Sequence, residues 1–326
     1  MQNIMQRLSA AAKLLVVTHA RPDGDGLGSM SALKSAARAV GKEVATLVPG
    51  EVPVRYDFLL SPDRPVGAER FAELADWADT VVIVDTCAFA QLDDLDAQLA
   101  AARDKIVVID HHATTDDIGA VRWVDASAAA AGVMVGELLE SLGWPVDRSA
   151  AEALLMAMTS DTGWFRFSNT DARCLRAAAR LFAAGVEIDK LYQRLFQADR
   201  PERIMLLGRA LGSMELRAGG RIATMKLRAC DFSETGAVQD ETEGIVNEPM
   251  RMGCVEVSML LVEDGHATSE PCVRASLRSR GGVDVAAVAR GFGGGGHVRA
   301  AGLRVREDID SLATRLIAAC EAAMGA

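Results

Sequence analysis

The sequence predicts two domains, an α/β domain built on a parallel sheet followed by a smaller α+β domain. Three observations carry this expectation. At 326 residues the chain exceeds a typical single domain. Its first half alternates short, nearly all-apolar β-branched runs with helical stretches, the pattern of βαβ units whose sheet is covered on both faces. Beyond about residue 211 the pattern changes to turn-bounded strands and isolated helices.

Leu14–Val17, Val44–Val48, Val81–Val84 and Ile106–Ile109 read as strands, with a weaker fifth run at Val121–Val124. Between them Gly28–Val40, Ala68–Trp77 and Leu92–Arg103 read as helices, and Ala126–Leu142, Ser149–Met158 and Asp171–Ala184 follow as further helical segments. These make a first domain over residues 1–186. The charged, amphipathic stretch over 187–211 reads as a helical connector. In the remainder, 212–326, Met214–Leu216 and Ile222–Leu227 flank Gly219-Gly220 as a hairpin. Val255–Val262 and Val273–Leu277 read as strands and Val283–Gly291 as a helix. A glycine-rich loop and a closing helix at Ile309–Met324 complete the chain.

The net charge of -10 argues against a long footprint on duplex nucleic acid, which requires many phosphate-neutralising Lys and Arg side chains. It leaves room for a small anionic substrate held by metal ions and a local cluster of arginines. The six cysteines are scattered without a CxxC pair, so neither a structural zinc site nor a disulfide framework is expected. No apolar run reaches the roughly 18 residues of a membrane span. The run Ala10–Val17 is interrupted by Lys13, unlike a cleavable signal. A cytoplasmic protein without membrane contact is the expectation.

Three apolar runs end in the same kind of residue. Leu14–Val17 leads into His19, Asp23 and Asp25, Val81–Val84 into Asp85, and Ile106–Ile109 into Asp110-His111-His112. Ligands of open α/β sheets bind outside the carboxyl ends of the strands, so these groups converge on one crevice. Asp161, after a helix, offers a further carboxylate. Carboxylates gathered in this way repel one another unless cations neutralise them. Oxygen donors mixed with imidazole and free of thiolate suit Mn²⁺ or Mg²⁺ better than Zn²⁺. Paired ions are the usual apparatus for displacement at phosphorus. A dinucleotide-binding reading of Gly24-x-Gly26-x-Gly28 fails on spacing, and its aspartates would repel a pyrophosphate.

From residue 271 to 306 arginines outnumber acids strongly: Arg274, Arg278, Arg280, Arg290, Arg299, Arg304 and Arg306 against a single acid, Asp284. In Val273–Ser279 polar and apolar residues alternate, so Arg274 and Arg278 share a face. The tetraglycine that follows can expose backbone N–H groups to a phosphate, and His297 follows it directly.

The order His19-x-x-x-Asp23-x-Asp25, Val84-Asp85-Thr86, Asp110-His111-His112 and Ser160-Asp161-Thr162-Gly163 resembles the four motifs of the DHH phosphoesterase superfamily. Gly293-Gly294-Gly295-Gly296-His297 is similar to the GGGH signature of its DHHA1 domain. By size the resemblance is nearest to the small bacterial nanoRNase/pAp-phosphatase type. It implies a DHH catalytic domain and a DHHA1 substrate-binding domain. One divalent ion would be held by His19, Asp23 and Asp85, a second by Asp25, Asp85, His111 and Asp161. Both ions are expected to be Mn²⁺, with Mg²⁺ as the alternative. Asp85 would bridge the ions, His112 would touch the scissile phosphate, and Asp110 would orient the neighbouring imidazoles. Arg274, Arg278, Ser279, Gly295, Gly296 and His297 would bind substrate. The stretch Ala126–Ala131 departs from the family pattern, which usually has more polar residues there.

The implied substrates are short oligoribonucleotides and 3′-phosphoadenosine 5′-phosphate, and a homodimer is compatible with the reading. Alternatives on the same core are hydrolysis of cyclic-dinucleotide products such as linear di-AMP, or of pyrophosphate or short polyphosphate. A nucleotide-binding regulator is the alternative outside enzymes. An aromatic near His297, Phe292, would favour a nucleotide by stacking on its base.

Overall fold

The structure, a computed structural model, describes residues 1–61, 63–93, 95–113, 115–263 and 272–325, and of His297 the backbone. The chain forms two compact units, Met1–Ala198 and Asp199–Ala326.

The first unit opens with a helix, α1 (Gln2–Ala10), whose Ile4 and Leu8, one turn apart, are buried. The sheet follows as β1 (Lys13–Val17), α2 (Gly24–Ala39), β2 (Glu43–Leu47), the short helices α3 (Asp57–Leu60) and α4 (Phe71–Trp77), and β3 (Thr80–Val84). Then come α5 (Asp96–Ala101), β4 (Ile106–Asp110) and β5 (Val121–Val124). All neighbouring strands are parallel, in the order β2-β1-β3-β4-β5. The chain therefore leaves β1 toward one edge and returns to the other side at β3, a topological switch point. Leu14 and Val16 of β1 pack in one core and Leu15 and Val17 in another, so the sheet is covered on both faces. Four helices complete the unit, α6 (Ala131–Leu142), α7 (Arg148–Asp161), α8 (Ala172–Ala183) and α9 (Ile188–Phe196).

Two of the helix starts that differ from the sequence expectation bear on the site. α2 begins four residues early because Asp23 caps it, accepting from the Asp25 and Gly26 N–H groups. A side-chain cap outweighs the poor helix propensity of the glycines. α6 begins five residues late because residues 126–130 form a turn and loop ahead of it.

The second unit runs α10 (Pro201–Gly212), β6 (Glu215–Arg217), β7 (Ile222–Leu227), α11 (Ala229–Thr235), β8 (Val257–Glu263) and β9 (Cys272–Ser279). It ends with α12 (Val285–Arg290), β10 (Gly295–His297), β11 (Ala300–Arg306) and α13 (Ile309–Gly325). The stretch 187–211 thus comprises two helices, α9 in the first unit and most of α10 in the second. The strand order is β10-β11-β9-β8-β7-β6, antiparallel except for β7 and β8. One sheet face packs on α12 and α13. The other packs on α10, α11 and a turn carrying Ile245 and Val246 along β7 and β8.

The glycine-rich segment is part of this sheet, since Gly295–His297 pair with Ala300–Gly302 as an edge hairpin. Gly296 has φ +138°, and a Cβ there would lie 2.5 Å from the Ala300 carbonyl oxygen. Close backbone approach is a sufficient reason for a glycine at this position. Among the described residues no helix is long and apolar enough to cross a membrane.

Candidate metal centre

The carboxyl ends of β1, β3 and β4 and the end of α7 bring six side chains together. His19 Nε2 lies 3.8 Å from Asp23 Oδ1 and 3.4 Å from Asp85 Oδ2. His111 Nε2 lies 3.1 Å from Asp161 Oδ2, 3.4 Å from Asp85 Oδ1 and 3.5 Å from Asp25 Oδ2. Besides Asp85-His111-His112, two groups of potential ligands result, His19-Asp23-Asp85 and Asp25-His111-Asp161. Asp85 stands between them, turning one oxygen to each imidazole. Its backbone has φ +62°, a region a non-glycine residue enters only at a cost of about 1–3 kcal/mol. That turn aims the carboxylate back over the strand ends. Gly26 is also demanded here, because a Cβ would lie 2.3 Å from Thr18 Oγ1 and 3.1 Å from His19 Nε2.

The electrostatics are those of an uncompensated cluster. Asp25 and Asp85 are almost wholly buried. Burial, reinforced by Asp85 and Asp161, pushes the Asp25 carboxyl well above the usual carboxylate range. Burial likewise raises Asp161. Burial alone would lower the imidazoles, yet the carboxylates override it. Asp23 and Asp85 hold His19 up at about 10, and Asp161 and Asp85 hold His111 at about 11. Asp23 moves the other way, its burial outweighed by His19. Of the buried polar atoms without a hydrogen-bond partner among the described residues, Asp85 Oδ1, His111 Nε2 and Asp110 Oδ2 lie at this centre. Buried polar atoms are normally paired, and a site for a bound ion is one recognised explanation of exceptions. Divalent cations with oxygen and nitrogen ligands fit this set. They would replace the protons that the cluster otherwise keeps.

His112 also comes within ligand reach of Asp85, at 3.9 Å. Its Nδ1, however, lies 2.7 Å from Asp110 Oδ1. That buried oxygen accepts from the His111 and His112 N–H groups as well. With Nδ1 engaged, Nε2 is the free nitrogen, and the Asp110 bond raises the imidazole pKa against burial, favouring the imidazolium in which Nε2 also donates.

The second unit distributes the basic residues unevenly. Arg274 and Arg278 lie on the sheet face away from α12 and α13, and Arg304 is the cross-strand partner of Arg274. Like charges directly opposite are unfavourable, and a bound anion would relieve them. Arg274 donates to Thr242 Oγ1, and half-buried Arg278 has its pKa lowered by burial. Arg280 bonds the Met250 carbonyl, and Arg290 sits on α12 beside Asp284. Ser279 is turned to the opposite, inner side, where its hydroxyl donates to the Val283 carbonyl. Strand alternation puts it there, so its position serves the β9 end rather than the arginine face. Phe292 does not offer a free stacking surface either. It packs on the core with Arg315 4.9 Å over its ring. The backbone register aligns position 297 with Ala300 and Arg278, and the His297 side chain lies outside the described residues.

Residues 13–158 match the family model described as DHH family, N-terminal domain, and residues 219–324 match the DHHA1 domain. The chain is similar to the bifunctional oligoribonuclease and PAP phosphatase NrnA of Thermus thermophilus. They are 32% identical over 309 residues, covering 94% of this chain and 88% of the relative. The Bacillus subtilis protein of the same name is 26% identical, with 93% and 92% covered. In fold the chain is similar to the crystal structure of an exopolyphosphatase-related protein from Bacteroides fragilis. The TM-score is 0.90 at 23% identity, covering 98% of this chain and 95% of that one.

Proposed function

The chain belongs to the DHH family, with a DHHA1 domain after it, and on that premise we propose a divalent-metal-dependent phosphoesterase acting on short oligoribonucleotides and 3′-phosphoadenosine 5′-phosphate. The observation that carries the reading is Asp85, buried, backbone-strained and facing an imidazole of each ligand group. A carboxylate so placed serves two ions at once. Full-length relatives named for these two activities support the substrate class.

The proposed ligands are His19, Asp23 and Asp85 for one ion and Asp25, Asp85, His111 and Asp161 for the other, with Mn²⁺ favoured by the mixed oxygen and imidazole set. Such ions supply charge neutralisation at phosphorus and activation of water. The chain's own residues do the rest. Asp110 accepts from His112 Nδ1 and favours the charged ring, so that the Nε2–H of the imidazolium can donate to a phosphoryl oxygen. Arg274 and Arg278 bind the remaining charge of the substrate, with the glycine hairpin at Gly295 and Gly296 and with His297. Ser279, its hydroxyl bonded to the Val283 carbonyl, stands beside Arg278 at the end of β9.

A substrate panel with Mn²⁺ tests the reading. Turnover of a ribodinucleotide and of 3′-phosphoadenosine 5′-phosphate should exceed that of linear di-AMP, pyrophosphate and tripolyphosphate. Preference for an inorganic substrate would overturn it, and absence of turnover with every member would favour a binding protein.

A further inference from the structure

The loop between β5 and α6 carries almost no chemistry in its side chains, yet its backbone is wired to one half of the metal centre. The Ala128 carbonyl lies 3.2 Å from His111 Nδ1. As acceptor it puts the ring proton on Nδ1 and leaves Nε2 to face Asp25, Asp85 and Asp161. At the start of α6 the Ala131 and Gly132 N–H groups donate to Asp25 Oδ2 and Oδ1, at 2.6 and 2.8 Å. Asn169 Nδ2 donates to the Ala129 carbonyl and to the Asp161 carbonyl, both at 3.1 Å. The loop thus touches His111 and Asp25 directly and is tied through Asn169 to the backbone of Asp161. Among the described residues none of these bonds reaches His19, Asp23 or Asp85.

The root of the loop is held from α8. Asp125 Oδ1 accepts from the Ser127 N–H and hydroxyl, closing the turn that presents Ala128. Asp125 Oδ2 accepts from Arg173 Nη1 at 2.6 Å. The other two nitrogens of the same guanidinium hold Glu137 of α6 bidentately, at 2.7 Å each. The planar fork of Arg173 therefore sets the spacing between the loop root and the helix whose first turn grips Asp25. The small, buried side chains of Ala128, Ala129 and Ala130 suit a loop that works through its backbone.

We infer that Arg173 and Asn169 are positioning residues for the Asp25-His111-Asp161 half of the centre, acting through the 125–132 backbone and leaving the His19-Asp23-Asp85 half unaffected. The inference rests on the two-ion reading above. Removing a partner that orients a metal ligand typically costs about 10–100-fold in affinity, and here that loss should fall on one ion only.

The experiment is Mn²⁺ titration of the metal-free full-length chain by calorimetry, with metal analysis and the electron paramagnetic resonance signal of coupled Mn²⁺ pairs. Wild type should bind two ions and show the coupled signal. Arg173→Met and Asn169→Ala should keep one site at wild-type affinity, weaken the other about 10–100-fold and lose the coupled signal at limiting metal. Arg173→Lys, able to reach only one carboxylate well, should fall between. Arg180→Met is the control, since Arg180 pairs Glu140 between the same two helices without reaching the loop. It should match wild type. Equal weakening of both sites, or no weakening, would overturn the clamp while leaving the two-ion reading intact. A wild-type chain that binds a single ion overturns both. If Arg173→Met does not fold, Asn169→Ala and Arg173→Lys decide the question.

Discussion

Replacing Asp85 by Asn isolates the shared carboxylate. Asn is the suitable substitution because it tolerates the positive φ of +62° and keeps the side-chain volume, so the backbone turn survives. The two carboxylate oxygens lie 3.4 Å from His19 Nε2 and 3.4 Å from His111 Nε2, and the change therefore weakens both ligand groups together. Orienting partners of metal ligands are worth about 10–100-fold in affinity, and a ligand common to both groups should cost at least about 100-fold at each. At free Mn²⁺ of about 100 times the dissociation constant, binding stabilises the native protein by about 2.7 kcal/mol per site. After a 100-fold loss the same concentration yields about 0.4 kcal/mol. For a unit of this size each kcal/mol moves Tm by about 2–4 °C, so a wild-type shift of about 5–11 °C per site should shrink to about 1–2 °C. Differential scanning calorimetry with and without Mn²⁺ measures this directly, with turnover of a ribodinucleotide alongside. A wild-type metal-induced shift in Asp85→Asn would refute the reasoning.

Chelation should inactivate the enzyme reversibly, with Mn²⁺ restoring activity at least as well as Mg²⁺, and metal binding should expel protons. The folded pKa values of His19 and His111, about 10 and about 11, lie above the 6.5 of a free imidazole. Metal-free protein at pH 8 therefore holds protons that a cation must displace, and affinity should rise with pH up to those values. Calorimetry in buffers of contrasting ionisation enthalpy reads the release, and zero release at pH 8 would contradict the account. Arg278→Ala and His297→Ala should retain both ions while kcat/KM for a ribodinucleotide falls about ten- to a hundred-fold, the loss of one charge-assisted hydrogen bond. A small generic phosphodiester should be hydrolysed at close to the wild-type rate, and loss of metal in either variant would place these residues in the catalytic centre instead.

The parallel sheet was legible because strands buried on both faces must be almost wholly apolar, and β1, β3 and β4 announce themselves as Leu14–Val17, Val81–Val84 and Ile106–Ile109. The strand β11 was legible in principle, since Leu303 and Val305 alternate with Arg304 and Arg306, but the neighbouring glycines read as a loop. Their demand is a close approach between backbones, which a sequence does not display. The opposite faces of Arg278 and Ser279 follow from simple alternation, whereas the burial of Phe292 beneath Arg315 depends on where α13 returns.

By itself the sequence determined which residues can ligate a cation and that they stand at strand and helix ends. Asp and His are the donors those ends carry, and residue type is enough to mark them as candidate ligands. Tertiary structure alone decided how those ligands are held apart and aimed. The Ala128 carbonyl, the Ala131 and Gly132 N–H groups and the left-handed turn at Asp85 are backbone features. Every residue carries the same backbone groups, so their roles leave no trace in residue type until the fold brings them to His111 and Asp25.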